Sequence, residues 1–320
     1  MNVLAKEQRK AIDPTLSAAK QAQLREAFLR HYYALRCREE AHWSSRLSLQ
    51  QRKKIHGLIL ALYKLKNRLG GFSCEVVADR RDYREKRPII FAVTHVGKFD
   101  IEVISEAVKD HYYLLSGDFE HLQGLPDARF LALNGVIYFN ETVREDRRLA
   151  MERMIRLLRS GANLMYFPEG TWNLSPNLPV LPCYWGIVDV ARQGGAVIVP
   201  VAAEQYGRRF KVNIGQSFLV DSYGTTFAEK SRAIRDLRDA LATLKYEIWE
   251  TVHARREDLS PEDWQHFVEE RFAEWPGFDM GYINSLIYKP KGVVSPQEAF
   301  SHLTQLIPCR ENGFLLRKRL

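Results

Sequence analysis

The sequence predicts an α/β fold: a largely parallel sheet flanked by helices, with an N-terminal two-helix element and a helical C-terminal extension. Three observations point to it. Seven short β-rich runs lie between Phe72 and Ile214, helical segments separate several of them, and long stretches of strong helix formers stand on either side. With 320 residues, 46% of them hydrophobic, the chain is long enough to bury a sizeable core.

The N-terminal element is expected to hold two helices, from about Thr15 to Glu40 and from Ser48 to Leu69, the second ending at Gly70-Gly71. Its sequence puts Ile55, Leu58, Ile59, Leu62 and Leu65 or Leu69 on one side, with Arg52, Lys53, Lys66 and Arg68 largely outside it. That is a basic amphipathic helix, suited either to a membrane surface or to packing on the core with a solvated basic face. The strands follow as FSCEVVA, PIIFAVT, HYYLLSG, GVIYFN, ANLMYFP, AVIVPVAA and KVNI. Between them, IEVISEAVKD, REDRRLAMERMIRLLRS and a stretch from Gly186 to Gln193 read as helices. Beyond the core, a charged helix is expected from about Phe227 to Arg256. Another is capped by Ser260 with Pro261 at its first position, and a last one lies at SPQEAFSHLTQL. The expected domains are 1–71 as a basic helical element, 72–222 as an α/β core and 223–320 as a helical extension packed on it.

Charge is uneven. Residues 1–90 carry 20 Lys and Arg against 9 Asp and Glu, so they hold +11 of a chain whose formal net charge is +8. Such asymmetry suits attraction to an anionic surface, either nucleic acid or membrane phosphates. The longest nearly apolar run, Leu58 to Leu65, contains Lys64 and is far shorter than the roughly 20 residues of a spanning helix. The first residues, MNVLAKEQRKAIDP, lack an apolar signal core, which places the expected location in the cytoplasm. Cys37, Cys74, Cys183 and Cys309 are scattered and form no C-x-x-C pair, so reduced thiols are expected rather than zinc or disulfides. No H-x-x-x-H, G-x-G-x-x-G, P-loop or G-x-S-x-G pattern occurs.

Two strand ends carry candidate chemistry. In THVGKFD, His95 and Asp100 are separated by a turn containing Gly97, which can fold the carboxylate onto one imidazole nitrogen and leave the other free as a base. The alternative is a helix cap at Asp100 and a surface histidine. In ANLMYFPEGTW, a buried strand runs into Pro168, Glu169, Gly170 and Thr171, where a carboxylate stands beside exposed backbone N–H groups able to hold a polyol or phosphate; an ordinary turn is the alternative.

Taken together, over roughly residues 75 to 215, these blocks resemble the glycerolipid acyltransferases, the family of lysophosphatidic acid acyltransferase and glycerol-3-phosphate acyltransferase. THVGKFD is similar to its H-x-x-x-x-D block. GVIYFN looks like its second block, FPEGT its third, and VIVPVAAEQYG, with Pro200 central, its fourth. The resemblance implies a transferase of phospholipid biosynthesis with His95 as base and Asp100 as its orienting partner. Acyl-CoA or acyl-carrier protein would be the co-substrate, with no cofactor and no metal. Glu169, Gly170 and Thr171 would position the acceptor. Two departures stand out: Glu141 occupies the place where the family has arginine after the second block, and Trp172-Asn173 stands where Arg-Ser is usual. Lys98, or Arg144, Arg147 or Arg148, could supply the missing cation; a solvated helix face is the alternative for the arginines. The expected function is acyl transfer to a lysophospholipid or glycerol-phosphate hydroxyl by a peripheral protein on the inner membrane face. Its partners would be the thioester donor, the lipid acceptor and an anionic membrane, and no nucleic acid. The alternatives are an acyltransferase for a non-phosphorylated or amine acceptor, and a non-catalytic basic binding protein.

Overall fold

The computed structural model describes residues 17–23, 26, 46–117, 127–139, 144–174, 178–252, 262, 263, 266 and 268–270. The chain divides into two compact units, residues 1–52 and 53–320. In the first, residues 18–23 are helical; the rest of the helix expected up to Glu40 lies outside the described residues. Helix α1 (Leu49–Leu69) opens on a reciprocal cap: the Ser48 N–H donates to Gln51 Oε1 at 2.8 Å and the Gln51 N–H to Ser48 Oγ at 3.3 Å. It ends in a tight turn at Gly71, whose φ of +72° glycine adopts without strain.

The second unit is built on a seven-stranded sheet. Its strands are β1 (Ser73–Asp79), β2 (Ile89–Val93), β3 (Tyr113–Ser116), β4 (Val136–Tyr138), β5 (Leu164–Tyr166), β6 (Val197–Tyr206) and β7 (Arg209–Ile214). Their spatial order is β1-β7-β6-β2-β5-β3-β4, and every neighbouring pair is parallel except β6 with β7. All seven expected strands are present, and the sheet is the largely parallel one expected. The central strands are buried on both faces, and for that reason IIFAV and VIVPVAA read as unbroken apolar runs.

Helices α2 (Asp100–Val108), α3 (Asp127–Asn134), α4 (Arg144–Arg159), α5 (Gly186–Gly194) and α6 (Phe227–Val252) complete the layers. Residue alternation assigns the two faces. Phe91, Val93, Met165, Val199, Val201 and Ala203 pack with Val103, Ile104 and Ala107 of α2, whereas Ala202 faces the other way onto Leu244 and Ile248 of α6. Helix α3 was not foreseen: DARFLALN is eight residues long with no cap signal that separates it from a loop. Helix α6 matches the expected start at Phe227. Ser260, Pro261 and the SPQEAFSHLTQL segment lie outside the described residues.

In α1 the apolar residues split between two faces. Ile59 and Tyr63 are buried together with His56 and Asn67, while Leu58, Leu62, Leu65 and Leu69 form an outward stripe, with Leu58 64% and Leu69 80% exposed. Polar bonds decide which side turns inward: His56 Nδ1 meets Asn134 Oδ1 at 2.7 Å, Asn67 Nδ2 donates to Glu106, and Lys66 pairs with Glu102 at 2.6 Å. The expected grouping of Ile59 with the leucines, and of Arg52 and Lys66 with a free basic face, is corrected accordingly, since Arg52 is buried as well. Among the described residues no helix is long and apolar enough to cross a membrane.

Candidate active site

Strands β2, β5, β3, β4 and β6 all point the same way, so their C-terminal ends share one edge of the sheet, the position where open α/β sheets hold ligands. Thr94, just beyond β2, is fixed to β6. Its N–H donates to Val201 O at 3.0 Å, and its hydroxyl accepts the Ala203 N–H at 3.0 Å. His95 follows from this anchored base.

Asp100 opens α2 and is fully buried. Its Oδ2 accepts His95 Nδ1–H at 2.8 Å, the Val96 N–H at 2.6 Å and the Gly97 N–H at 3.1 Å. One oxygen therefore folds the VGKF turn and orients the imidazole at once. With Nδ1 engaged as donor, the neutral ring carries its lone pair on Nε2, and the side chain remains 21% exposed at the sheet edge. Two aromatic rings wall the imidazole: Phe167 stacks on it at 4.2 Å between centroids and Trp172 meets it edge-on at 6.0 Å. The ring thus has one orientation, one occupied nitrogen and one open nitrogen, the arrangement of a general base.

The PEGT turn after β5 is bolted to this loop. Glu169 is buried, with Oε1 accepting the His95 N–H at 3.0 Å and Oε2 accepting the Leu181 N–H at 2.7 Å. Burial pushes its carboxyl above the usual range, opposed chiefly by the Lys245 charge and then by the two backbone bonds and His95. Gly170 has φ of +69°, and a Cβ there would stand 2.5 Å from the Tyr184 ring. Asn173 closes the circuit. Its N–H donates to His95 O at 2.8 Å and its side-chain amide to Leu178 O and Pro179 O at 2.9 and 3.2 Å.

With this geometry in place, the family comparison decides the class: residues 76–204 match the family model described as Acyltransferase. The chain carries an acyltransferase domain. The matched segment contains His95, Asp100 and the whole PEGT turn, so the acyltransferase recognition made from the four sequence blocks is borne out. Among solved structures, the 1-acyl-sn-glycerophosphate (LPA) acyltransferase PlsC from Thermotoga maritima is similar at 19% identity. That match has a TM-score of 0.49 and covers 66% of this chain and 86% of that one. No curated protein matches the chain.

The candidate site brings together His95, Asp100, Glu169, Gly170 and Thr171 of the residues expected from sequence. Lys98 stands in the His95–Asp100 turn, half-buried, with its ammonium 5.4 Å from the Phe99 ring centroid. Arg144, Arg147 and Arg148 are exposed at the start of α4, and Arg148 pairs with Glu152. Helix α4 leaves β4, the edge strand, with β5 and β3 between it and β2. At ~4.8 Å per strand, β4 itself lies roughly 14 Å to the side of β2. Glu141 lies outside the described residues. Sequence reasoning missed Asn173, Leu181 and Tyr184, because their roles depend on backbone groups that only the folded loop brings near. Asn173 is fully buried, and its backbone N–H ties the segment after the PEGT turn to His95.

Proposed function

We propose that this acyltransferase moves a fatty acyl group from acyl-CoA or acyl-carrier protein to a hydroxyl of a lysophospholipid or glycerol phosphate at a membrane surface. The observation that carries this reading is the His95–Asp100 pair, which leaves Nε2 open beside the PEGT turn. Nε2 takes the acceptor hydroxyl proton as the oxygen attacks the thioester carbonyl. The new C–O bond forms, the C–S bond breaks, and the departing thiolate recovers the proton from the imidazolium. Asp100 and the aromatic walls hold the ring through both steps. Glu169 and Asn173 support this as positioning residues, while Gly170 and Thr171 face the acceptor.

Attachment to the membrane is supported by the leucine stripe of α1, flanked by exposed Lys54, Lys64 and Arg68. The sheet topology carries the end of α1 to the catalytic edge. Ser73, which starts β1, pairs with Arg209, just past the end of β6, and Phe72 meets Phe99 of the catalytic turn at 4.5 Å between ring centroids. Tyr184, Trp185 and Phe227 expose further aromatic surface beside the PEGT turn, with Trp185 and Phe227 5.9 Å apart.

A second reading, transfer to a non-phosphorylated or amine acceptor, is favoured by one observation: the family's two arginine positions hold Glu141 and Trp172 here. Purified protein given acyl-CoA or acyl-carrier protein with lysophosphatidic acid, glycerol 3-phosphate, a monoacylglycerol or a long-chain amine tests both, with products read by mass spectrometry. Acylated phosphate-bearing product supports the first reading. Product from the neutral or amine acceptors alone replaces it with the second.

A further inference from the structure

Helix α6 lies beyond the residues matched by the family model, yet it is hydrogen-bonded to the frame of the His95 loop. Arg238 donates from Nε and one terminal nitrogen to Val180 O, at 3.0 and 2.7 Å. That oxygen belongs to the same peptide group as the Leu181 N–H, which donates to Glu169 Oε2 at 2.7 Å. The other oxygen of Glu169 accepts the His95 N–H at 3.0 Å. Guanidinium, peptide and carboxylate therefore form one chain of bonds that ends on the backbone of the proposed base. A second route meets it. The Asn173 side chain donates to Leu178 O and Pro179 O, at 2.9 and 3.2 Å, and its N–H donates to His95 O at 2.8 Å. Both backbone polar groups of His95 are thus tied to residues 178–181, a buried segment that Arg238 fastens to α6.

The geometry points to Arg238 as a positioning residue of acyl transfer: by gripping the Val180–Leu181 peptide it sets Glu169, and through Glu169 the place of His95 against the attacking hydroxyl. Residues 178–181 belong to no helix or strand, so bonds from outside the segment decide where it lies. Arg238 suits that task in two ways. Two N–H groups of one rigid plane converge on a single oxygen, which fixes direction as well as distance. A cation on a peptide oxygen also polarises that peptide, and its N–H becomes a stronger donor to the carboxylate, since bonds in a chain reinforce one another. A general base needs its place held closely, because a misplacement of about 1 Å, even from a distant change, can cost about 10²-fold in rate.

This inference rests on the acyl-transfer reading, and its test separates the two. Turnover of acyl-CoA is measured with lysophosphatidic acid, or with a monoacylglycerol or long-chain amine where those are the acceptors used. In the full chain, Arg238→Met lowers kcat by about 10- to 100-fold. KM for donor and acceptor changes little, because the change falls on the placement of the base. NMR follows the Leu181 and His95 amide protons, which move upfield and exchange faster as their bonds to Glu169 lengthen. Arg238→Lys keeps the charge and a donor for Val180 O, and its kcat and amide shifts lie between those of wild type and Arg238→Met. Leu241→Ala, a packing loss in the same helix, lowers the unfolding midpoint and leaves kcat as it was. Should Arg238→Met fail to fold, Arg238→Lys shows the same shifts and the same kcat loss at smaller size. Unmoved Leu181 and His95 amides in a folded Arg238 variant, an undiminished kcat, or an equal kcat loss in Leu241→Ala overturns the proposal. Shifted amides in a protein that acylates none of these acceptors uphold the grip of Arg238 on the loop and remove the acyl-transfer reading instead.

Discussion

Asp100 illustrates how much a single oxygen carries: its Oδ2 orders two backbone N–H groups and the imidazole, while Oδ1 is buried with no hydrogen-bond partner among the described residues. Asp100→Asn leaves one oxygen for three donors and can place an NH₂ group against them, so both ring orientation and the turn suffer. Turnover is expected to fall by about 10² or more, read as kcat under saturating thioester. Gly170 is equally constrained. Gly170→Ala adds a Cβ 2.5 Å from Tyr184 in a left-handed conformation that costs about 1–2 kcal/mol for a non-glycine residue. A lowered midpoint of thermal unfolding is expected, with Tyr184→Ala on top recovering the steric part and leaving the backbone part. The pairing of His95 with Asp100 was legible in the sequence because five residues and a glycine close the loop locally. The engagement of Glu169 was not: its partners His95 and Leu181 lie 74 and 12 residues away, and the residue foreseen as facing the acceptor is buried in the frame of the loop.

At the scale of elements, the sequence shows that α1 is amphipathic but not which stripe is covered. Two apolar stripes run along it, Ile59 with Tyr63 and Leu58 with Leu62, Leu65 and Leu69. Hydrogen bonds of His56 and Asn67 to distant residues draw the first inward. The outward leucines are expected to insert into lipid. Leu58→Ser, Leu65→Ser and Leu69→Ser together remove three side chains worth about 1.5–3 kcal/mol each when fully buried, so vesicle affinity should drop at least about 100-fold. Co-sedimentation with anionic vesicles reads it, alongside an unfolding midpoint that does not fall, since these residues are exposed. Undiminished vesicle binding by the triple variant would remove α1 from the attachment. The strands, by contrast, were legible throughout, because burial on both faces writes continuous apolar runs that need no knowledge of partners.

On the scale of the whole molecule, the sheet order places β2, β5 and β6 side by side, and the proposed site lies where their ends meet. The sequence indicated a parallel sheet through its alternation of strands and helices. It left open that β7 returns antiparallel and seats β1 at the far edge, because pairing order depends on long-range packing. Helix α6 secures this arrangement through Leu237, Leu241, Leu244 and Ile248, all buried. Leu241→Ala should destabilise the fold by about 2–5 kcal/mol, measured by denaturant unfolding. The folded frame serves one central claim, that His95 takes the acceptor proton in acyl transfer, and His95→Ala tests it most directly. Thioester consumption and acylated product are measured together in wild type and variant, with circular dichroism and the unfolding midpoint confirming an intact fold. A loss of about 10² to 10⁴ in kcat is expected, whereas a folded His95→Ala protein with undiminished turnover would contradict the mechanism.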